Sequence, residues 1–179
     1  MSRNYRVVLD FSQVGVSQGN CLAFVQLWCC GVWFADGILL AMNERAKTGF
    51  HELDHTADVE LLVWGPDLPL LLEQAALGMY SLAGIQLKPG PAQTRILELP
   101  VADPESLLVN FLSELLFLLE MEEVGFNHIK ISIDASKLHA ELKGKTLESQ
   151  AKQIKAVTYH NLEVHPGLDG LEARIVFDV

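Results

Sequence analysis

A leucine-rich stretch from residue 104 to about residue 122 constrains the fold more than any other part of this sequence. Asp103 is a favourable N-cap residue, and Pro104 suits the first position of a helix. The apolar positions of the stretch cover more than one helical stripe, so we expect this helix to lie at the centre of the core. They are Leu107, Leu108, Phe111, Leu112, Leu115, Leu116, Leu118 and Leu119.

The segments on either side predict a second helix and six strands. The helix runs over residues 68 to 82, with Asp67 as its N-cap and Gly84 as its stop. The expected strands are residues 59–64, 94–101, 128–134, 138–144, 154–164 and 171–179. The last four follow one another through short turns, which favours antiparallel pairing. We therefore predict an α+β fold in which an antiparallel sheet layer packs against two helices.

Residues 1 to 41 differ from the rest of the chain. Residues 21 to 41 are almost entirely apolar and could be read as a membrane span, but they contain Gln26, Asp36 and two glycines and lack a nearby basic flank. No cleavage site of the secretory type closes them. We interpret residues 1 to 41 as a non-native or disordered extension that follows from a mis-called start. Met42 is then the true start, and residues 42 to 179 form one domain.

The charge of the chain bears on the partners it can bind. Thirteen basic and 23 acidic residues give a net charge of −10, and no run of Lys or Arg interrupts the acidity. A basic footprint for phosphates is therefore absent, and we expect no direct, stable binding to nucleic acid. The three cysteines all lie before Met42, so the remainder can form neither a disulfide nor a thiolate metal site. This pattern agrees with a cytoplasmic protein.

Three groups with oxygen ligands could form a cation site. The sequence ends in Asp178 and Val179, which sets a main-chain carboxylate one position from a side-chain carboxylate, and Asp58 precedes an apolar strand. If the three converged, a hard cation or a cationic side chain would have to neutralise them, and oxygen ligands favour calcium or magnesium over zinc. The alternative is that Asp58 is a turn residue at a strand entry, the usual role of such an aspartate.

Lys155 is the candidate cation for this cluster. It lies in the stretch IKAVTYH, where a period of two places Lys155, Val157 and Tyr159 on one strand face. A surface lysine is the alternative, and the residues by themselves favour it. His55 and His160 fit structural roles better than catalytic ones. None of the common nucleophile, phosphate-loop, zinc-protease or dinucleotide motifs is present.

Four features taken together resemble the archease family: HTADV at residues 55–59, the long leucine-rich helix, IKAVTYH, and the ending FDV. The resemblance runs in order from about Phe50 to Val179, and residues 1 to 41 have no counterpart. It implies an archease-like fold and a non-catalytic protein that activates the RtcB-type RNA ligase of tRNA splicing and RNA repair. Activation consists of promoting guanylylation of the ligase, allowing multiple turnover and broadening nucleotide use.

The resemblance also assigns roles to residues of this chain. Asp58, Asp178 and Val179 correspond to the metal ligands, with calcium or magnesium as the cofactor, and Asp58, Lys155 and Asp178 are implied to be critical for activation. Asp54, His55 and Thr56 would then shape the turn that presents Asp58. Two rival functions are a metal-dependent hydrolase and a chaperone-like modulator of RNA-modifying enzymes.

Overall fold

The structure, a computed structural model, describes residues 47–53, 59–168 and 170–179. The predicted extension, residues 1 to 41, lies outside the described residues, and so does the apolar stretch within it. Among the described residues, no helix is both long and apolar enough to cross a membrane.

Both helices begin where their N-cap residues predict, and Gly84 ends the first one as expected. Helix α1 is Leu68–Ala83, and Asp67 accepts a hydrogen bond from the N–H of Leu70 at 2.9 Å. Helix α2 is Pro104–Glu122, and Asp103 accepts from the N–H of Ser106 at 2.8 Å. Each cap satisfies one of the N–H groups that a helix start leaves without a partner.

The described residues form nine strands in two antiparallel sheets. The first sheet contains β1 (Gly49–Leu53), β2 (Val59–Gly65), β7 (Ala156–Thr158), β8 (Val164–Gly167) and β9 (Gly170–Asp178). The second contains β3 (Gln86–Leu87), β4 (Gln93–Pro100), β5 (Val124–Ile133) and β6 (Lys137–Ser149). The α+β class with two helices is confirmed, and the predicted sheet layer consists of two sheets.

Strand β9 is the central element of the first sheet. Strand β2 pairs with one of its edges from Leu171 to Phe177. Strand β8 pairs with the start of β9 and strand β7 with its end, so these two short strands lie one after the other along the opposite edge. Strand β6 has the same role in the second sheet, because β4 and β5 pair along its two edges.

The core is one cluster that draws on both helices and both sheets. Helix α1 packs against β2 and β5, while α2 packs against β5 and β7. The largest fully buried side chains include Phe111 of α2, Phe126 of β5 and Phe177 of β9. Seven of the eight apolar positions predicted to face the core from α2 are buried, and Leu118 is half-buried. The prediction of a central core helix is confirmed.

The strand predicted over residues 154–164 is wrong as a single element. The chain leaves the sheet after Thr158, turns at Asn161 with a φ of 53°, and re-enters it at Val164. The N–H of Leu162 donates to the carbonyl of Tyr159 at 3.2 Å, which closes the turn. Val157 is therefore buried while Tyr159 is exposed, so the two do not share a strand face.

Candidate functional site

The end of strand β9 positions the two carboxy-terminal site residues. Phe177 is fully buried, and the alternation of a strand turns the next side chain, Asp178, to the exposed face. Neighbouring strands hold this end on both sides, since Val59 of β2 pairs with Phe177 and Ala156 of β7 pairs with Asp178. The carboxylate of Asp178 is thus exposed on a backbone that the sheet holds rigidly.

Lys155 is bound to the same end of β9 through both its backbone and its side chain. Its N–H donates to the carbonyl of Asp178 at 2.8 Å, and its Nζ donates to the main-chain oxygen of Val179 at 2.7 Å. Three residues after Lys155, the hydroxyl of Thr158 donates to the carbonyl of Val176 at 3.0 Å. These bonds bring Lys155, Asp178 and Val179 together in one exposed cluster, which we call the β9 tip.

Asp58 lies outside the described residues, as do Asp54, His55 and Thr56. Its neighbour in the sequence, Val59, is described and is the first residue of β2. The pairing of Val59 with Phe177 brings the start of β2 to the end of β9 that carries the tip. The convergence of Asp58 with Asp178 stays a prediction.

The groups of the β9 tip that could bind a cation, on Asp178 and Val179, offer oxygen ligands, which suit calcium or magnesium. Among the described residues, no group of three or more His, Cys, Asp or Glu side chains is placed to hold a metal ion. The described part of the predicted site contributes the carboxylate of Asp178 and the oxygen of Val179. The main-chain oxygen of Val179 has two lone pairs. The hydrogen bond from Lys155 uses one of them, so the other remains able to bind a cation.

Two surface depressions lie close to this end of the first sheet. One is a groove of about 210 Å³ between α2 and β7, and Lys155 forms part of its wall. The other, of about 410 Å³, has only polar residues among those that line it. They are Glu60, Asn161, Glu163, His165 and Arg174. Within it, the guanidinium of Arg174 lies 3.2 Å from the buried carboxylate of Glu60, so the acid is paired.

Sequence reasoning missed two features around the tip. The anchoring bond of Thr158 was missed because threonine is common in strands for packing reasons and nothing in the pattern shows its hydrogen-bond partner. The exposed side chain of Phe117 beside Lys155 was the second. A signal for it existed, because Phe117 does not belong to the apolar positions that the helical period assigns to the core.

Sequence comparison identifies relatives over most of the chain. A family model described as "Archease protein family (MTH1598/TM1083)" matches residues 50–179. "Protein archease" of Methanosarcina barkeri is 35% identical over 148 residues, which cover 77% of this chain and 100% of that protein. "Protein archease-like" of Dictyostelium discoideum is 30% identical over 141 residues, covering 73% of this chain and 93% of that protein.

Solved structures agree with this assignment. The solution structure of protein 1598 of Methanobacterium thermoautotrophicum aligns with a TM-score of 0.56 at 28% identity, over 73% of this chain and 99% of that one. The crystal structure of a Thermotoga maritima protein described as "an archease, possible chaperone" aligns with a TM-score of 0.56 at 22% identity, over 71% of this chain and 94% of that one. The second likeness concerns the fold alone. Together, the family match, the relatives and the fold lead to one conclusion: the chain belongs to the archease protein family.

Proposed function

We propose that this chain is a non-catalytic protein activator of an RtcB-type RNA ligase, acting in tRNA splicing and RNA repair in the cytoplasm. The observation that supports the proposal most directly is the β9 tip. There, in a chain of the archease family, Lys155 donates to the oxygen of Val179 beside the exposed carboxylate of Asp178. The family resemblance implies that Lys155 and Asp178 are critical for activation and that Asp178 and Val179 are metal ligands.

In this proposal Asp58, Asp178 and Val179 bind one calcium or magnesium ion. Such an ion supplies electrostatic stabilisation of phosphoryl oxygens when it is bound. Lys155 holds the oxygen of Val179 in place through its Nζ and the end of β9 through its N–H. The activator thus presents a preorganised polar tip that enters the active site of the ligase, promotes its guanylylation and multiple turnover, and broadens its use of nucleotides.

The charge of the chain supports a protein partner over a nucleic acid. A net charge of −10 repels the phosphate backbone of RNA at long range. The tip itself combines one lysine with an acidic residue, so it offers no net positive surface. The activator is therefore expected to act on the ligase without a stable contact to RNA.

Guanylylation of a cognate ligase, measured with and without this protein, tests the proposal. We expect a faster formation of the ligase–guanylate adduct and more than one ligation cycle per ligase molecule. An equal rate with and without the protein would refute activation.

A chaperone-like modulator is the second candidate, because the Thermotoga maritima relative is described as a possible chaperone and Phe117 and Met121 are exposed here. A chaperone-like function does not depend on the β9 tip, so a protein with Lys155 substituted should keep its full modulating activity. A metal-dependent hydrolase would instead turn over a substrate without any ligase, which assays of the purified protein would detect.

A further inference from the structure

The exposed side of helix α2 carries two large apolar residues, and one of them, Phe117, lines a groove together with Lys155 of the β9 tip. Phe117 is 55% exposed and Met121 is 69% exposed. They are four residues apart in the helix and therefore lie on the same face, one turn from each other. Burying large apolar side chains is favourable, so a folded chain that leaves two neighbouring ones uncovered has a surface suited to a partner.

The groove between α2 and β7 connects Phe117 to the tip, and Met121 lies one helical turn from Phe117. Its lining includes Phe117 and Leu116 on the helix side, and Lys155, Ala156 and Val157 on the other side. Lys155 is the residue whose Nζ binds the oxygen of Val179. A segment lying in the groove would therefore extend from Phe117 to the tip without crossing another element.

The charge around the groove indicates the chemistry of the occupant. Every charged residue of α2 is a glutamate, namely Glu105, Glu114, Glu120 and Glu122. Glu114 and Glu120 are exposed, and each lies three residues from Phe117, on either side of it. Glu120 lines the groove, and Lys155 on the opposite wall is hydrogen-bonded to the oxygen of Val179. An apolar anchor between two acids complements a segment that has an apolar side chain flanked by Lys or Arg.

We infer that the α2–β7 groove is the surface on which the activated ligase docks, through a segment with an apolar anchor and flanking basic residues. This inference rests on the proposed function and adds a separate binding surface to it. Docking at Phe117 and Met121 supplies affinity, while the tip acts on the active site. The groove is therefore responsible for binding the ligase, and the tip is responsible for activating it.

A double variant, Phe117→Ser with Met121→Gln, tests the docking surface in the full chain. Both side chains are exposed, so the fold should not depend on them. Ile96→Ser is the matched control, because Ile96 is 67% exposed but faces away from the core side of β4, on which Leu97 packs. Glu114→Lys tests the charge, with Glu52→Lys as its control on β1, at the other edge of the first sheet from β7.

The readout is ligase guanylylation as a function of activator concentration, with direct binding measured by calorimetry. We expect the double variant to raise the half-saturating concentration by at least about tenfold, the effect of losing an anchor residue, with an unchanged maximal rate. Glu114→Lys should weaken binding more at low salt than at high salt, since salt screens an exposed charge. Both controls should match the unsubstituted chain.

Three results would overturn the inference. The first is an unchanged half-saturating concentration for the double variant. The second is an equal defect in Ile96→Ser, which would show a non-specific apolar effect. The third is a lower maximal rate at the normal half-saturating concentration, which would place the groove in activation instead of docking. If the unsubstituted chain fails to bind and activate the ligase, the proposed function itself is wrong and the inference falls with it.

Discussion

The Nζ atom of Lys155 donates a hydrogen bond to the main-chain oxygen of Val179 at 2.7 Å, while the N–H of the same residue donates to the carbonyl of Asp178. One residue thus holds both positions at the end of β9. The lysine side chain is exposed, so its bond to Val179 contributes little to the stability of the fold. Holding the lysine side chain in one conformation costs entropy that the bond does not repay in stability, so we attribute this bond to a function of the tip.

Lys155→Met should abolish ligase activation while changing the free energy of unfolding by less than about 1 kcal/mol, the range of exposed ion pairs. The backbone bond to Asp178 survives the substitution, so the end of β9 stays paired. Lys155→Arg, which keeps the charge, serves as the matched variant and should retain part of the activity. Guanylylation assays and thermal melts check both statements, and a fully active Lys155→Met protein would contradict them.

Asp58→Ala should abolish activation at little cost in stability. In the proposed site Asp58 is one of several like charges, and removing one of them relieves repulsion in the absence of a cation. The measurements are multiple-turnover ligation and the thermal midpoint of the isolated protein. Ligation at the unsubstituted rate would show that Asp58 has no part in the tip.

Adding residues after Val179 should be more harmful than adding a tag at the amino terminus. In a chain that ends at Val179, the addition converts a terminal carboxylate into a neutral amide carbonyl and removes one charge from the proposed cation site. Asp178→Asn removes the adjacent charge with almost no change of volume and should reproduce the defect. Calorimetry should show weaker calcium or magnesium binding, because ligand charge tunes oxygen sites. Normal cation binding by both variants would exclude these ligands.

A chain that starts at Met42 should fold and activate the ligase like the full chain. The family match begins at residue 50, and each strand and helix of the described residues lies after Met42. Circular dichroism and limited proteolysis of the two proteins compare their folds. Loss of a cooperative melting transition in the shorter protein would contradict the prediction.

The turn at Asp134 should make the protein less stable in acid. The N–H groups of Ser136 and Lys137 donate to Asp134 and hold the pKa of its carboxyl well below the ordinary value of 3.8. Because the pKa is lowered in the folded state, the stabilisation is present above 3.8 and is lost as the pH falls below it.

Asp134→Asn keeps a side-chain acceptor for these N–H groups but cannot titrate. The difference in thermal midpoint between the two proteins should therefore shrink as the pH falls below 3.8. A constant difference across that range would show that this carboxylate does not contribute to the pH dependence.

Local chemistry was sufficient to predict the helices. Asp67 and Asp103 cap the helices through hydrogen bonds to residues three positions away, which a local pattern can reveal. The apolar residues of α2 cover a wide arc of the helix, and only a position in the core can bury all of them. Strand β1 was missed because its five residues show no clear alternation. The break within residues 154–164 was missed because Asn161 reaches a positive φ at low cost and its neighbours do not mark a turn.

The site was predictable in part for a similar reason. Asp178 and Val179 are neighbours through the covalent chain, so their proximity needs no fold. The contact of Lys155 with Val179 depends on the register between β7 and β9, which is set by long-range pairing and cannot be derived from a local pattern. The groove depends on how α2 lies against β7, and the helical period indicates only that Phe117 is outside the core.

The central place of β9 also determines the order in which this protein can assemble during synthesis. Strands β4 and β5 both pair with β6, and all three precede the last three strands of the first sheet, so the second sheet can form while the chain is still emerging. Strands β2, β7 and β8 all pair with β9, which the ribosome delivers last among them. The pairing of β2 with β9 joins strands that are far apart in the sequence, and such distant pairings form slowly. The first sheet and the tip should therefore be completed in the final folding step. An incomplete nascent chain would therefore have no competent tip to present.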